Sequence, residues 1–342
     1  MKKLFNKNPF VIAELSGNHK GSLSIAKKII RKCKLIGVDA IKFQTIDPDK
    51  ITFNSDKKIF KIRDKKNIWY GRKLHDLYKE SAMSLKMQTH LFKYAKKIGI
   101  IAFSSPFDLE AVDYLEKQNV PFYKIASLEN TYYPLIKKVI DTKKHILIST
   151  GASKENDIEK LVKFLKKNNC KNFSLLKCTS AYPAPYSELD LNSIKGLKKK
   201  YKCAVGYSDH TDDILASVVA VSKGASIIEK HIKIDEKTKS IDSKFSLSLD
   251  KFAEMVKILR NVNKCLGSYK IRVNKSEKKA NKNKRSIIIV KEIKKGERIT
   301  KKNASCLRPG NGIETKFYNN ILYKKASRKI LPGTPLKFKL IK

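Results

Sequence analysis

Eight short apolar runs, separated by helix-patterned segments, constrain this chain more than any other feature. They are Phe10–Leu15, Ala40–Gln44, Ile100–Ser104, Pro121–Ala126, His145–Ser149, Phe173–Cys178, Cys203–Tyr207 and Ala225–Lys230. Each has strand length and is apolar almost throughout, the pattern of a strand covered on both faces. Most are followed by a segment with one apolar helical face, as in Ser22–Ile36, Leu109–Gln118 and Asn156–Lys167. Eight such repeats predict a (β/α)8 TIM barrel, of class α/β, rather than an open doubly wound sheet. One connection is long: residues 46–74 include Trp69-Tyr70-Gly71, and loops of this length usually cover a site.

The barrel pattern occupies residues 1–267. Residues 268–284 are poor in apolar side chains and rich in lysine and asparagine, which makes them a linker by composition. From Arg285 a strand pattern restarts. Turn signals follow at Lys295-Gly296-Glu297, Pro309-Gly310-Asn311-Gly312 and Pro332-Gly333-Thr334-Pro335. Residues 285–342 are therefore expected to form a small, mostly β domain that supports or caps the barrel.

The formal net charge of +43 invites a nucleic-acid reading. The distribution argues against it. Only nine of the 75 basic residues are arginines, and lysines lie on almost every helix face, whereas a nucleic-acid surface concentrates charge and uses arginine forks and aromatics. A lysine-solvated surface that attracts small anions fits better. No apolar run reaches the ~20 residues of a membrane helix. The basic stretch Met1–Lys7 leads into an apolar segment carrying Glu14, which does not read as a secretory signal. Six scattered cysteines lack paired spacing, so a reducing, cytoplasmic setting without disulfides is expected.

Barrel enzymes place their chemistry at the C-terminal ends of the strands. Those ends supply Glu14, Lys42, Ser104-Ser105, Lys124 with Ser127 and Glu129, Ser149, Lys177 with Ser180 and Tyr182, then His210 and His231. Lys42, Lys124 and Lys177 each interrupt or end an apolar strand, where a solvated charge is not expected. With the hydroxyls they predict a pocket for a small, highly charged anion such as a phosphate ester. His210 and His231 close adjacent strands and form a half-site for a divalent metal. Having only two nitrogen ligands, it suits manganese or magnesium acting on a carbonyl better than structural zinc. His75, His90 and His145 read as packing or surface residues.

Together these motifs resemble the sialic acid synthase family, and within it the pseudaminic acid branch. The resemblance rests on Ala13–His19, Lys42–Thr45 with Pro48-Asp49, Ser104–Asp108, Tyr123–Ser127, Ser149–Gly151, Lys177–Pro185, Ser208–Thr211 and Glu229–His231. The tail, with Leu307-Arg308-Pro309-Gly310, is similar to the family's antifreeze-like (SAF, β-clip) domain. The resemblance implies condensation of phosphoenolpyruvate with an acetamido-sugar aldehyde and water, releasing phosphate. It implies that His210 and His231 bind the metal. Lys42, Ser105, Lys124, Ser127, Ser149, Ser180 and Ser208 would surround phosphoenolpyruvate. Glu129, Tyr182 and Asp242 would face the sugar, and Arg308 would enter the other protomer's site in a domain-swapped homodimer. Glu14 or Glu129 would handle the proton of the attacking water.

The implied sugar is a 2,4-diacetamido-2,4,6-trideoxy altrose. N-acetylneuraminate or legionaminate synthesis by the same reaction is the alternative, and a non-catalytic relative binding polyanions is a reading of another class. Three departures from the family pattern bear on this choice. Lys20 follows the Asn-His pair, Ser84–Gln88 replaces a Pro-Trp-Glu-Trp-like stretch, and Lys239–Asp242 lacks a Gly-Pro. The first is expected to touch the metal neighbourhood and the other two to bear on substrate.

Overall fold

The computed structural model describes residues 9–342; the basic stretch read above as carrying no signal lies outside the described residues. Eight parallel strands alternate with helices: β1 (Phe10–Glu14), β2 (Ala40–Thr45), β3 (Ile101–Pro106), β4 (Phe122–Ile125), β5 (His145–Ser149), β6 (Phe173–Cys178), β7 (Ala204–Asp209) and β8 (Ile227–Lys233). Each pairs with the next, and β1 pairs with β8 in the register Glu14↔His231, which closes the barrel. A short ninth strand, β9 (Leu247–Ser248), extends the sheet beside the end of β8.

Local signals explain the helix starts. Ser22 Oγ accepts from the Ile25 N–H at 3.3 Å, and the helix Leu23–Leu35 that follows buries Ala26, Ile29, Ile30 and Cys33, one face at helical spacing. Asp108 Oδ1 accepts from the Ala111 N–H at 2.8 Å and opens the helix Leu109–Lys117. The aspartate of the Ser-Ser-Pro-Phe-Asp run is therefore a helix cap. Inside the barrel, Phe103 and Phe122 pack at 4.3 Å between ring centroids, with Phe10 6.2 Å from Phe122. These rings plug the interior below the strand ends, so the polar groups above them sit on a packed floor.

Two strands run further than their apolar patterns. β7 continues through Ser208-Asp209 and β8 through His231-Ile232-Lys233. A charge normally ends an apolar strand, but here Asp209 and Lys230 pair on the outer face at 3.1 Å, both fully buried. The long connection 46–74 does fold over the barrel mouth, with the Trp69 indole N–H donating to the Ile241 carbonyl at 3.1 Å.

Residues from Ser268 onward form a second compact unit. Its antiparallel pair, β10 (Ser286–Ile289) and β11 (Ala304–Leu307), shares a core with Ile293, Ile299, Ile313, Ile321, Ile330 and Leu336. Residues 268–284 are exposed and contain one short helix, Lys278–Asn281. Among the described residues no helix is long and apolar enough to cross a membrane.

Gly206 on β7 has no room for a side chain. A Cβ there would lie 2.7 Å from both the Cβ and the carbonyl oxygen of Ile227. Gly206→Ala should lower stability by about 1–3 kcal/mol through overpacking, read as a shift in the urea midpoint.

Candidate active site

Strand parity builds the site. On β8, Glu229 and His231 point into the barrel while Lys230 between them points out; on β7, Ser208 points in and Asp209 out. At the C-terminal ends a cavity of ≈ 200 Å³ opens, lined by Lys42, Lys124, Ser127, Glu129, Ser149, Tyr182, Ser208, His210, Glu229, His231 and Asp242, with Trp69, Ile241 and Phe245 above.

One side of the cavity is a buried charge cluster. Lys42 Nζ lies 2.6 Å from Glu14 Oε2 and 3.0 Å from Glu229 Oε1, and Lys124 Nζ lies 2.9 Å from the same Glu229 oxygen. Ser208 Oγ donates to that oxygen at 3.0 Å. All four charged side chains are at most 4% exposed. Burial pulls the Lys42 ammonium down to about 7; Glu229 opposes this and the neighbouring Lys124 adds to it. Burial alone would raise Glu229, but the two ammonium groups overcome it and hold the carboxyl well below its usual range.

Around this cluster several polar atoms are buried with no hydrogen-bond partner among the described residues: Ser105 Oγ, Ser149 Oγ, Ser180 Oγ and Glu229 Oε2. Each such hydroxyl costs about 1–3 kcal/mol unless a ligand satisfies it. Gly151 stands beside them. A Cβ on it would collide with Ser180 Oγ and lie 2.7 Å from Ser127 Oγ. Two lysines, unsatisfied hydroxyls and a bare backbone make a cradle for an oxyanion.

The other side carries the histidines, whose ring centroids are 5.5 Å apart. His210 Nδ1 donates to the Thr179 carbonyl at 3.0 Å and lies 3.7 Å from Cys178 Sγ. Burial would lower this ring, but Cys178 and the Thr179 carbonyl together leave it above its ordinary value. His231 is held well below the ordinary value, first by burial and then by His210 and Lys42. Its Nδ1 is buried with no hydrogen-bond partner among the described residues. Two imidazoles and one orphaned nitrogen fit a divalent cation as a half-site. The described residues offer no cluster of three His, Cys, Asp or Glu, so water and substrate oxygens would complete it.

Glu129 also lines the cavity, and burial raises its carboxyl to about 7 against the pull of Lys124. Asp242 is buried, accepts from Ser16 Oγ and from the Gly17 N–H at 3.2 Å, and burial raises its carboxyl. Glu14 is anchored on the Ser16 N–H at 2.8 Å as well as on Lys42.

The sequence-derived candidates therefore divide. The cavity wall gathers ten: Lys42, Lys124, Ser127, Ser149, Ser208, Glu129, Tyr182, Asp242, His210 and His231. Glu14 adjoins it through Lys42, and Ser180 adjoins Gly151. Ser105 is buried on β3. Arg308 is exposed at the end of β11 in the second unit. Two expectations need correction. Lys177 is not part of the anion pocket: Cys178 takes the inward position on β6, so Lys177 faces outward, towards Ser193 and Lys200. Lys20 is exposed in a left-handed conformation, φ 51°, and does not line the cavity. His75, His90 and His145 behave as read: His75 pairs with Asp49 at 2.9 Å, His145 Nε2 lies 2.9 Å from Ser174 Oγ and His90 is exposed. Sequence reasoning missed Glu229 and Cys178. Glu229 was accessible from the period of two, because it shares a strand face with His231.

The sequence profile of the NeuB family matches residues 29–271, and that of the SAF domain matches residues 284–342. The chain belongs to the NeuB family. It is 40% identical over 332 residues to the pseudaminic acid synthase of Campylobacter jejuni, covering 97% of this chain and 96% of that one. It is 36% identical over 326 residues to an N,N'-diacetyllegionaminic acid synthase of Campylobacter jejuni, covering 94% and 97%. Among solved structures, the N-acetylneuraminic acid synthetase of Leptospira borgpetersenii superposes with a TM-score of 0.71 at 30% identity, over 80% of this chain and 90% of that one. In this NeuB-family barrel the Asp209–Lys230 pair backs both histidines. Lys230 Nζ also donates to the Thr211 carbonyl at 2.8 Å, and Ser217 Oγ donates to Asp209 at 2.6 Å.

Lys230→Ala would strand the buried Asp209 carboxylate. It should cost about 3–5 kcal/mol of stability, measurable by chemical denaturation against wild type.

Proposed function

We propose that this chain is a pseudaminic acid synthase. It would condense phosphoenolpyruvate with 2,4-diacetamido-2,4,6-trideoxy-L-altrose and water to give pseudaminic acid and phosphate. The observation that carries the reading is the two-part cavity, an oxyanion cradle facing a histidine pair, in a chain so similar over its length to pseudaminic acid synthases.

Lys42, Lys124 and the hydroxyls of Ser105, Ser127, Ser149, Ser180 and Ser208 hold the phosphate and carboxylate of phosphoenolpyruvate. Tyr182 and Asp242 orient the sugar. His210 and His231 hold a divalent ion, manganese or magnesium, which when bound supplies Lewis acidity at the sugar carbonyl. The enol C3 attacks the aldehyde carbon, forming the C–C bond, and the aldehyde oxygen ends as a hydroxyl by taking one of the two protons of the water that adds at C2, the other leaving with phosphate. Water adds at C2, and the tetrahedral centre expels phosphate by C–O cleavage. Glu129 accepts the proton of that water: it lines the cavity and its raised carboxyl is matched to neutral pH. Glu14, tied to Lys42 and the Ser16 N–H, positions the ammonium instead. Arg308 completes the sugar side across a domain-swapped homodimer. All six cysteines are free, which supports a cytoplasmic setting.

The decisive assay follows phosphate release from phosphoenolpyruvate with manganese and each candidate sugar. Release with the trideoxy altrose is expected. Release with N-acetylmannosamine alone would assign neuraminate synthesis, and no release with any sugar would end the enzyme reading. His231→Ala should reduce metal-dependent turnover at least ~100-fold. Because Glu129 gains its charge as pH rises through about 7 while the phosphate-binding Lys42 loses its own over the same range, kcat/KM should be bell-shaped with a maximum near neutral pH. Glu129→Gln should remove the rising limb and lower the maximum by about 10²–10⁴-fold.

A further inference from the structure

The proposed mechanism leaves Trp69 unused. It lies in the long connection over the barrel mouth, yet its ring lines the cavity. The Tyr182 ring is 4.5 Å from His210, and the Phe245 ring is 4.8 Å from His231. Trp69 lies one layer further out, 5.6 Å from Tyr182 and 6.1 Å from Phe245. Its single polar group, the indole N–H, is committed to the Ile241 carbonyl at 3.1 Å. The ring face it offers is therefore apolar, and Ile46, Leu77 and Ile241 line the same cavity, as do Tyr78 and Ser81.

A six-carbon sugar whose C1 is held at the histidines spans five bonds to C6, roughly 6 Å at about 1.2 Å per bond. Trp69 lines the same cavity one ring beyond Tyr182 and Phe245, which makes its face a candidate contact for the far end of such a sugar. A methyl group there is buried against carbon. A hydroxyl at the same place loses its water and meets no donor or acceptor from the indole.

We propose that Trp69, locked by Ile241, is the specificity residue that reads the sugar's C6 position and selects a 6-deoxy substrate over its 6-hydroxy counterpart. This inference rests on the function proposed above and names the feature of the substrate that the site recognises. The lock also holds the covering connection to the loop that carries Asp242, so the two loops shape one end of the pocket together.

The experiment compares kcat/KM for 2,4-diacetamido-2,4,6-trideoxy altrose and for the otherwise identical sugar bearing a 6-hydroxyl. Wild type should favour the deoxy sugar about 10–100-fold. Trp69→Phe should keep most of that preference, because the wall stays apolar. Trp69→Gln should bring the ratio near one, chiefly by raising KM for the deoxy sugar, with KM for phosphoenolpyruvate unchanged. A Trp69→Gln protein that loses both sugars equally, or that also loses phosphoenolpyruvate affinity, would overturn the assignment. So would a wild-type enzyme that does not discriminate at C6. Melting temperatures identify a misfolded variant; if Trp69→Gln is one, Trp69→Leu replaces Trp69→Phe as the apolar control and Trp69→His serves as the polar variant under the same criteria. Phosphate release by wild type with the deoxy sugar tests the underlying function separately: its absence would sink that reading, whereas its presence with an unchanged ratio in the polar variants would sink only the role of Trp69.

Discussion

One carboxylate oxygen organises the interior of this barrel. Glu229 Oε1 receives Lys42 from β2, Lys124 from β4 and Ser208 from β7 while itself belonging to β8. Four strands from around the circumference are thus tied at a single point. Glu229 draws the Lys42 ammonium back up against its burial, and the two lysines keep Glu229 ionised against its own. Glu14 adds a second carboxylate to Lys42, so the cluster is balanced. Its unsatisfied serine hydroxyls and the spare oxygen of Glu229 remain for a ligand. The floor of phenylalanines beneath keeps water away and the local dielectric low, which strengthens every contact above it.

The outer face of the same strands carries a second charge pair with a different task. Asp209 and Lys230 precede the two histidines in sequence and point the opposite way. Alternation along a strand means that fixing one residue fixes the direction of the next. A fully buried pair behind β7 and β8, fastened to Thr211 and Ser217, therefore sets where both imidazoles aim. The inner cluster is poised for an anion, while the outer one holds geometry.

Much of this was legible in the linear chain. The eight runs define the barrel because each is a strand covered on both faces, and the second unit begins where the apolar pattern stops. His210 and His231 were readable as a pair because they lie at the same end of neighbouring strands. Lys177 misled for a definite reason: being one residue out of phase on β6 turns a site residue into a surface one, and apolar runs alone do not set phase. Lys20 misled because closeness in sequence to Asn18 and His19 does not survive a left-handed turn. β7 and β8 run beyond their apolar patterns because Asp209 and Lys230, 21 positions apart, neutralise each other on the outer face.

The sequence by itself determined the repeat, the helix caps at Ser22 and Asp108, and the residue types gathered at the strand ends. These depend on local periodicity and near-neighbour hydrogen bonds, which the order of residues contains. Only the tertiary structure decided which groups meet: Glu229 between two lysines, Asp209 against Lys230, Trp69 over the histidine side of the cavity. Such contacts arise when the barrel closes and brings β8 against β1, and no local pattern specifies the distance between residues that meet across it.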